Sequence, residues 1–200
     1  MPAKTRTLAG WGSVLPMVAI GMLGACSSVQ TISLAYTPAT NVAPVAGAGR
    51  VSLDVVSQDK RAQVKDQVGT IRGSSRRIVA DNDVADLVRK GIEQGLKDEG
   101  FVLAAGGLVV TVELQNFYCD ASLGPTAAVA FTVRARTGAG RTLYSHYYEG
   151  AGRAGILQSA DNCKVALEQA LGAAINQVIE DKALQSALLA AANPPAPGKS

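Results

Sequence analysis

The chain reads as an α+β domain: a mostly antiparallel sheet, in the order β-β-α-β-β-β-α, with two amphipathic helices packed on one face. Three alternating segments follow one another across short turns between residues 108 and 149. Two further segments, 84–96 and 167–178, repeat apolar residues at helical spacing. Helices covering one face of such a sheet are the simplest way to bury both sets of apolar faces.

The first strand is Val51, Leu53 and Val55 alternating with Ser52 and Asp54. Residues 58–80 are polar and rich in Lys and Arg, with a weak second strand over Val68–Arg72. The period then changes. Val84, Leu87, Val88, Gly91, Ile92, Gly95 and Leu96 share one helix face; Asp81 or Asn82 caps its start and Gly100 supplies a left-handed residue at its end. Leu108, Val110, Val112 and Leu114 alternate as strand again. "DASLGP" turns into Val129, Phe131, Val133 and Ala135, and "GAG" at 138–140 leads into Arg141–Glu149. A last helix starts near Ser159–Asp161, buries Leu167, Leu171, Ala174 and Val178, and breaks near Asp181 before an apolar turn at Leu184–Leu189.

The start of the chain has the three parts of an export signal. Lys4 and Arg6 precede an apolar stretch, Val14–Leu23, that is too short to span a bilayer as a helix and contains Pro16. It ends in Leu23-Gly24-Ala25-Cys26, which resembles the lipobox of bacterial lipoproteins. The resemblance implies cleavage before Cys26 and acylation of that residue. Ser27 in place of Asp after the cysteine implies the outer membrane. The organisation expected is therefore a removed signal over 1–25, a lipidated flexible tether over 26–48, one periplasmic domain over 49–191 and a disordered Pro-rich tail over 192–200. Cleavage removes two of the 19 basic residues and none of the 16 acidic ones. The remainder is near neutral and has no electrostatic case for nucleic acid.

Several stretches together are similar to the YajG-type family of bacterial lipoproteins. They are "DKR" at 59–61, "KGIEQGLKDEGF", the strands "LVVTVELQNFYCDAS" and "AAVAFTVRA", and the helix "ALGAAINQVIEDKAL". The resemblance covers roughly residues 30–190. It implies a fold and an envelope location but no reaction. The Cys119 and Cys163 pair and the Pro-rich tail are particular to this sequence.

Cys119 ends a strand, and two further strands and a short loop return the chain to that same end near Cys163. A disulfide between them is expected in an oxidising compartment, worth about 4 kcal/mol by loop-closure entropy.

The remaining chemistry is thin. His146 is the only histidine, and the cysteines lack metal-site spacing, so neither a metal nor a cofactor is expected. Ser145 and His146 are adjacent on a strand and point to opposite faces, which excludes a nucleophile–base pair. "GAGR" at 138–141 and "GAGRAG" at 150–155 lack the context of a phosphate loop and read as turn glycines. Lys60, Arg61, Arg76 and Arg77 read first as a solvated loop, and as a contact for anionic groups if they have a function. Tyr144, His146, Tyr147 and Tyr148 form the candidate docking patch.

The function expected is non-catalytic: a lipoprotein held in the bilayer by acylated Cys26 and binding an unknown envelope protein or polymer. The alternative is an envelope hydrolase or transferase with a carboxylate-based site that spacing does not reveal.

Overall fold

The computed structural model describes residues 28–38, 42–62, 65–71 and 76–192. Cys26 and most of the Pro-rich tail lie outside them. The described chain forms eight strands and three α-helices, so the α+β class holds, while the element order is richer than the periodicity implied.

The strands are β1 (Val29–Ile32), β2 (Ser52–Asp59), β3 (Gln67–Ile71), β4 (Arg76–Ala80), β5 (Val102–Leu103), β6 (Leu108–Asp120), β7 (Thr126–Arg136) and β8 (Thr142–Arg153). The helices are α1 (Val84–Asp98), α2 (Ala160–Glu180) and α3 (Lys182–Ala192). β6, β7 and β8 form the expected antiparallel meander. The other edge of β6 carries two strands in succession. β2 runs parallel to its first half, Leu53–Asp59 against Leu108–Leu114, and β3 is parallel to its end, Gly69–Thr70 against Cys119–Asp120. β4 then pairs antiparallel with β3, and β1 parallel with β4. The sheet is mixed.

β1 corrects the expected tether. Residues 29–32 add a strand, Ile32 and Leu34 are buried, and Val42 and Val45 pack against the core before Ala48 and Val51 enter it. Four-residue β1 is too short to show alternation, and β4, "RRIVA", begins with two arginines; both were hidden for that reason. The cap of α1 also differs. Asp83 accepts from the N–H groups of Ala85 (2.8 Å) and Asp86 (3.1 Å). Asn82 instead ties β1's exit to α1, accepting from the Leu34 N–H at 3.2 Å and donating to the Leu34 carbonyl at 3.0 Å.

A bulge at Gln115 decides which residues reach the core. Leu114 pairs with Phe131 and Asn116 with Ala130, so inward residues shift from even (Val110, Val112, Leu114) to odd (Phe117, Cys119). One extra residue in one strand has this effect because side chains alternate with a period of two.

All of α2's inner face, Cys163, Ala166, Leu167, Ala170, Leu171, Ala174, Ile175 and Val178, is buried against the sheet and α1. Its approach to β8 is unusually close. A Cβ built on Gly150 would stand 2.0 Å from the Ala170 carbonyl oxygen, and one on Gly152 1.9 Å from that of Ala166. These two glycines are therefore strand residues lying under a helix, not the turn glycines expected of "GAGRAG"; the turn residue there is Gly155, at φ 56°. α1 meets α2 through Gly91 and Gly95, which face Ile175 and Ile179.

Two glycine substitutions separate these roles. Gly152→Val should destabilise by at least about 2–3 kcal/mol, since neither backbone can yield without lifting α2. Gly172→Ala, on α2 with no atom within 4 Å of the added carbon, should stabilise by about 0.8 kcal/mol. Urea unfolding of the two variants beside the wild type checks both signs.

Candidate functional site

The residues singled out from sequence do not assemble into one site. Arg61 is buried, not a surface contact. Its guanidinium pairs with Asp59 (Nη2 to Oδ2, 2.8 Å) and donates to the carbonyls of Lys65 and Gln67. Burial works to raise the Asp59 carboxyl, but the hydrogen bonds from Arg61 outweigh it and hold it lowered. This knot ties the end of β2 to the start of β3. Lys60 is exposed beside it, whereas exposed Arg76 and Arg77 pair with Ile71 and Thr70 at the far end of β3. The four cations thus divide into a structural residue, a lone lysine and an arginine pair.

The tyrosine patch divides as well. Tyr144, His146 and Tyr148 lie on the helix-covered face of β8, and Tyr147 on the other. Tyr148 is only 2% exposed, so it is a core residue. Its hydroxyl donates to Asp181 Oδ2 at 2.7 Å and lies 2.8 Å from the Tyr144 hydroxyl, which also bonds Asp181. His146 is exposed, and its ring meets that of Tyr148 edge-on at 4.8 Å. Asp181 is the residue that sequence reasoning missed here. Its other oxygen accepts from the N–H groups of Ala183 (2.8 Å) and Leu184 (3.1 Å), capping α3. Burial opposes its ionisation, but the two hydroxyls and two N–H groups prevail and lower its pKa. Burial first, then Asp181, push Tyr144 up to about 12, and Tyr148 is raised further. Both phenols stay protonated donors, so this cluster is a helix-joint clamp.

A second carboxylate, this one buried, holds the same joint from the end of α1. Glu99 is 2% exposed; one oxygen accepts from the Gln185 side chain of α3 and the other has no partner. Gln185 also donates to the Ile179 carbonyl at 2.8 Å and accepts from Lys182 at 3.2 Å. Burial raises Glu99 to about 7, against the opposing pull of the Gln185 amide and the Lys182 charge.

The disulfide is present. Cys119 and Cys163 are joined with their Cα atoms 5.7 Å apart, binding β6 to the first turn of α2. The Gln115 bulge turns Cys119 inward, and Gly69 lets β3 pass over it, since a Cβ there would lie 2.7 Å from the Cys119 carbonyl oxygen.

Among the described residues, three of the shallow surface concavities lie beside polar side chains. One of about 280 Å³ at the start of α1 is lined by Asp59, Asp66, Asp81 and Asp83 with Lys65. Two of its carboxylates are engaged, Asp83 as the cap and Asp59 by Arg61. Another, of about 290 Å³, lies between Arg141, Leu143 and α3. The third, about 270 Å³, is on the sheet face away from the helices, between Tyr118, Asn116, Asp120, Thr126 and Ala128. That face also carries Glu113, Arg134, Arg136 and half-exposed Tyr147. Arg134 pairs with Glu113 at 3.3 Å, yet the Nε atoms of both Arg134 and Arg136 are shielded from water without an acceptor. Among the described residues no group of three His, Cys, Asp or Glu side chains is placed to hold a metal ion. No described helix is long and apolar enough to cross a membrane.

The two-layer α+β fold is shared by this chain and several solved proteins. A Xanthomonas campestris protein of the DUF330 family model is 14% identical, with a TM-score of 0.57 over 78% of this chain and 96% of the other. A second uncharacterized protein is 10% identical, with a TM-score of 0.53 over 76% and 97%. These likenesses concern the fold alone. No curated protein matches the sequence. The family model described as "uncharacterized lipoprotein" matches residues 38–189, so the chain belongs to that lipoprotein family, in accord with the YajG-type resemblance.

Two measurements follow from these clusters. Thiol labelling of unreduced, folded mature protein should find neither Cys119 nor Cys163 reactive, and two reactive thiols would contradict the disulfide. Glu99 has a folded pKa above its unfolded value, so the stability it contributes is full below about pH 4.5 and is lost as pH rises to about 7. The loss is on the order of 3 kcal/mol. Glu99→Gln should flatten stability between pH 5 and 8, read from urea midpoints, and exceed the wild type at pH 8.

Proposed function

We propose that the chain is an outer-membrane lipoprotein, acylated at Cys26 and facing the periplasm, that acts by binding another envelope protein and not by catalysis. Lipoprotein family membership supports the anchor, and Ser27 after the cysteine supports the outer membrane.

The observation that carries the binding role is the uncovered face of β6–β8. Tyrosine and arginine are the side chains that dominate protein interfaces, and Tyr118, Tyr147, Arg134 and Arg136 share this face. The two Arg Nε atoms without acceptors bear a desolvation cost that an incoming carboxylate or carbonyl relieves. An acidic protein surface fits this better than an apolar one. The docking patch is accordingly this face, with Tyr147 retained from the original group and Tyr144 and Tyr148 assigned to the helix joint.

The anchor and the surface are tested in the same cells. Cys26→Ser should leave an uncleaved precursor that is absent from the outer-membrane fraction; normal maturation and fractionation would refute the anchor. A photo-crosslinking residue replacing Tyr147 should give one discrete protein adduct, lost when Arg136→Glu is added. The same group at Gly138, in the distant hairpin, should give none. Equal adducts at both positions would refute the surface.

A further inference from the structure

The strand register brings one end of the sheet together with the anchor. β1 begins at Val29, three residues after Cys26, and Val29 pairs with Arg77. Arg76 pairs with Ile71 at the end of β3, and β3 runs parallel to β6 with Thr70 opposite Asp120. Asp120 pairs with Thr126 across the β6–β7 hairpin, and Thr126 with Arg153 at the end of β8. The start of β1, the β6–β7 hairpin and the loop from β8 to α2 are therefore all at the same end. Three residues of extended chain reach at most about 11 Å. Only Ser27 and Ser28 separate Cys26 from β1, so acyl chains on Cys26 hold this end against the bilayer.

That end carries the most exposed large aliphatic side chains among the described residues. Leu123 is 84% exposed, Ile156 85% and Leu157 71%, with Val29 at 47% and Val165 at 42%. Single exposed aliphatics are ordinary, but here they crown two loops that are fastened together. Gln158 Nε2 donates to the Ser122 carbonyl at 2.9 Å, and the Cys119–Cys163 bond lies directly below. Arg76, Arg77 and Arg153 are exposed around them; Asp120, which accepts from the Ser122 N–H, and Asp161 are the exposed acids of this end.

We infer that this end is a membrane-contact surface: Leu123, Ile156 and Leu157 enter the bilayer that holds the anchor, with Arg76, Arg77 and Arg153 at its phosphates. The two terminal loops act as a second, non-covalent foothold beside the acyl chains. The domain then stands upright, with the β7–β8 hairpin farthest from the bilayer and the Tyr147 face sideways and free.

This orientation rests on Cys26 as the anchor, and the test separates the two. The only tryptophan, Trp11, precedes Cys26 and is absent from the mature protein. Tryptophan can therefore be introduced singly by Leu123→Trp, Leu157→Trp and Gly138→Trp, all at open surface positions. Each full mature protein, with acylation of Cys26 verified by mass, is reconstituted in phosphatidylethanolamine–phosphatidylglycerol vesicles. Nitroxide-labelled lipid should quench Leu123→Trp and Leu157→Trp several-fold more than Gly138→Trp, with emission shifted to the blue. Unacylated protein that does not float with vesicles overturns the anchor and this orientation with it. Acylated, vesicle-bound protein with equal quenching at all three positions overturns the orientation alone. So does a blue shift without lipid quenching, which would mark contact between copies of the chain.

Discussion

Where Gly150 and Gly152 pass under α2, the strand and the helix touch backbone to backbone, because neither position has room for a Cβ. That contact sets the depth of the whole helical layer. With α2 seated so low, its alanines Ala166, Ala170 and Ala174 suffice to fill the seam, and the helix also meets β6, β7 and α1, the last through Ile175 against Gly91. Two fastenings keep the helix in register. The disulfide pins its first turn to the end of β6, and Asp181, gripped by Tyr144 and Tyr148, pins its last.

The same arrangement explains where polar chemistry is spent. Buried carboxylates and paired hydroxyls would ordinarily attract a catalytic reading. Here Asp181 closes α2 and caps α3, Asp59 and Arg61 close the β2–β3 loop, and Glu99 with Gln185 holds α3 against α1. What is left unspent is on the open sheet face and at the end that carries Leu123, Ile156 and Leu157. In the proposed reading those surfaces meet different neighbours, one lateral and one beneath.

Much of this was legible in the residues. Long elements with a strong period, α1, α2 and β6 to β8, stood out because burial of one face imposes the period directly. The pairing of Cys119 with Cys163 followed from counting strand reversals. The short strands β1 and β4 did not stand out, because their pairing is supplied by neighbours distant in sequence and not by their own pattern. Arg61 looked like its neighbour Lys60, and only the turn of the chain around Asp59 and Lys65 separates a buried arginine from a solvated lysine.

The sequence by itself determined the fold class, the two amphipathic helices and the meander, each written in local spacing or local composition. The tertiary structure alone decided that residues 29–32 form a strand, that Tyr148 belongs to the core and Tyr147 to the surface, and that Arg76 and Arg77 share an end with Leu123 and Ile156. Those facts depend on strand register, on a bulge that reverses side-chain parity and on which strand face a helix covers. All three are set by contacts between segments far apart in the chain, and no local window of residues contains them.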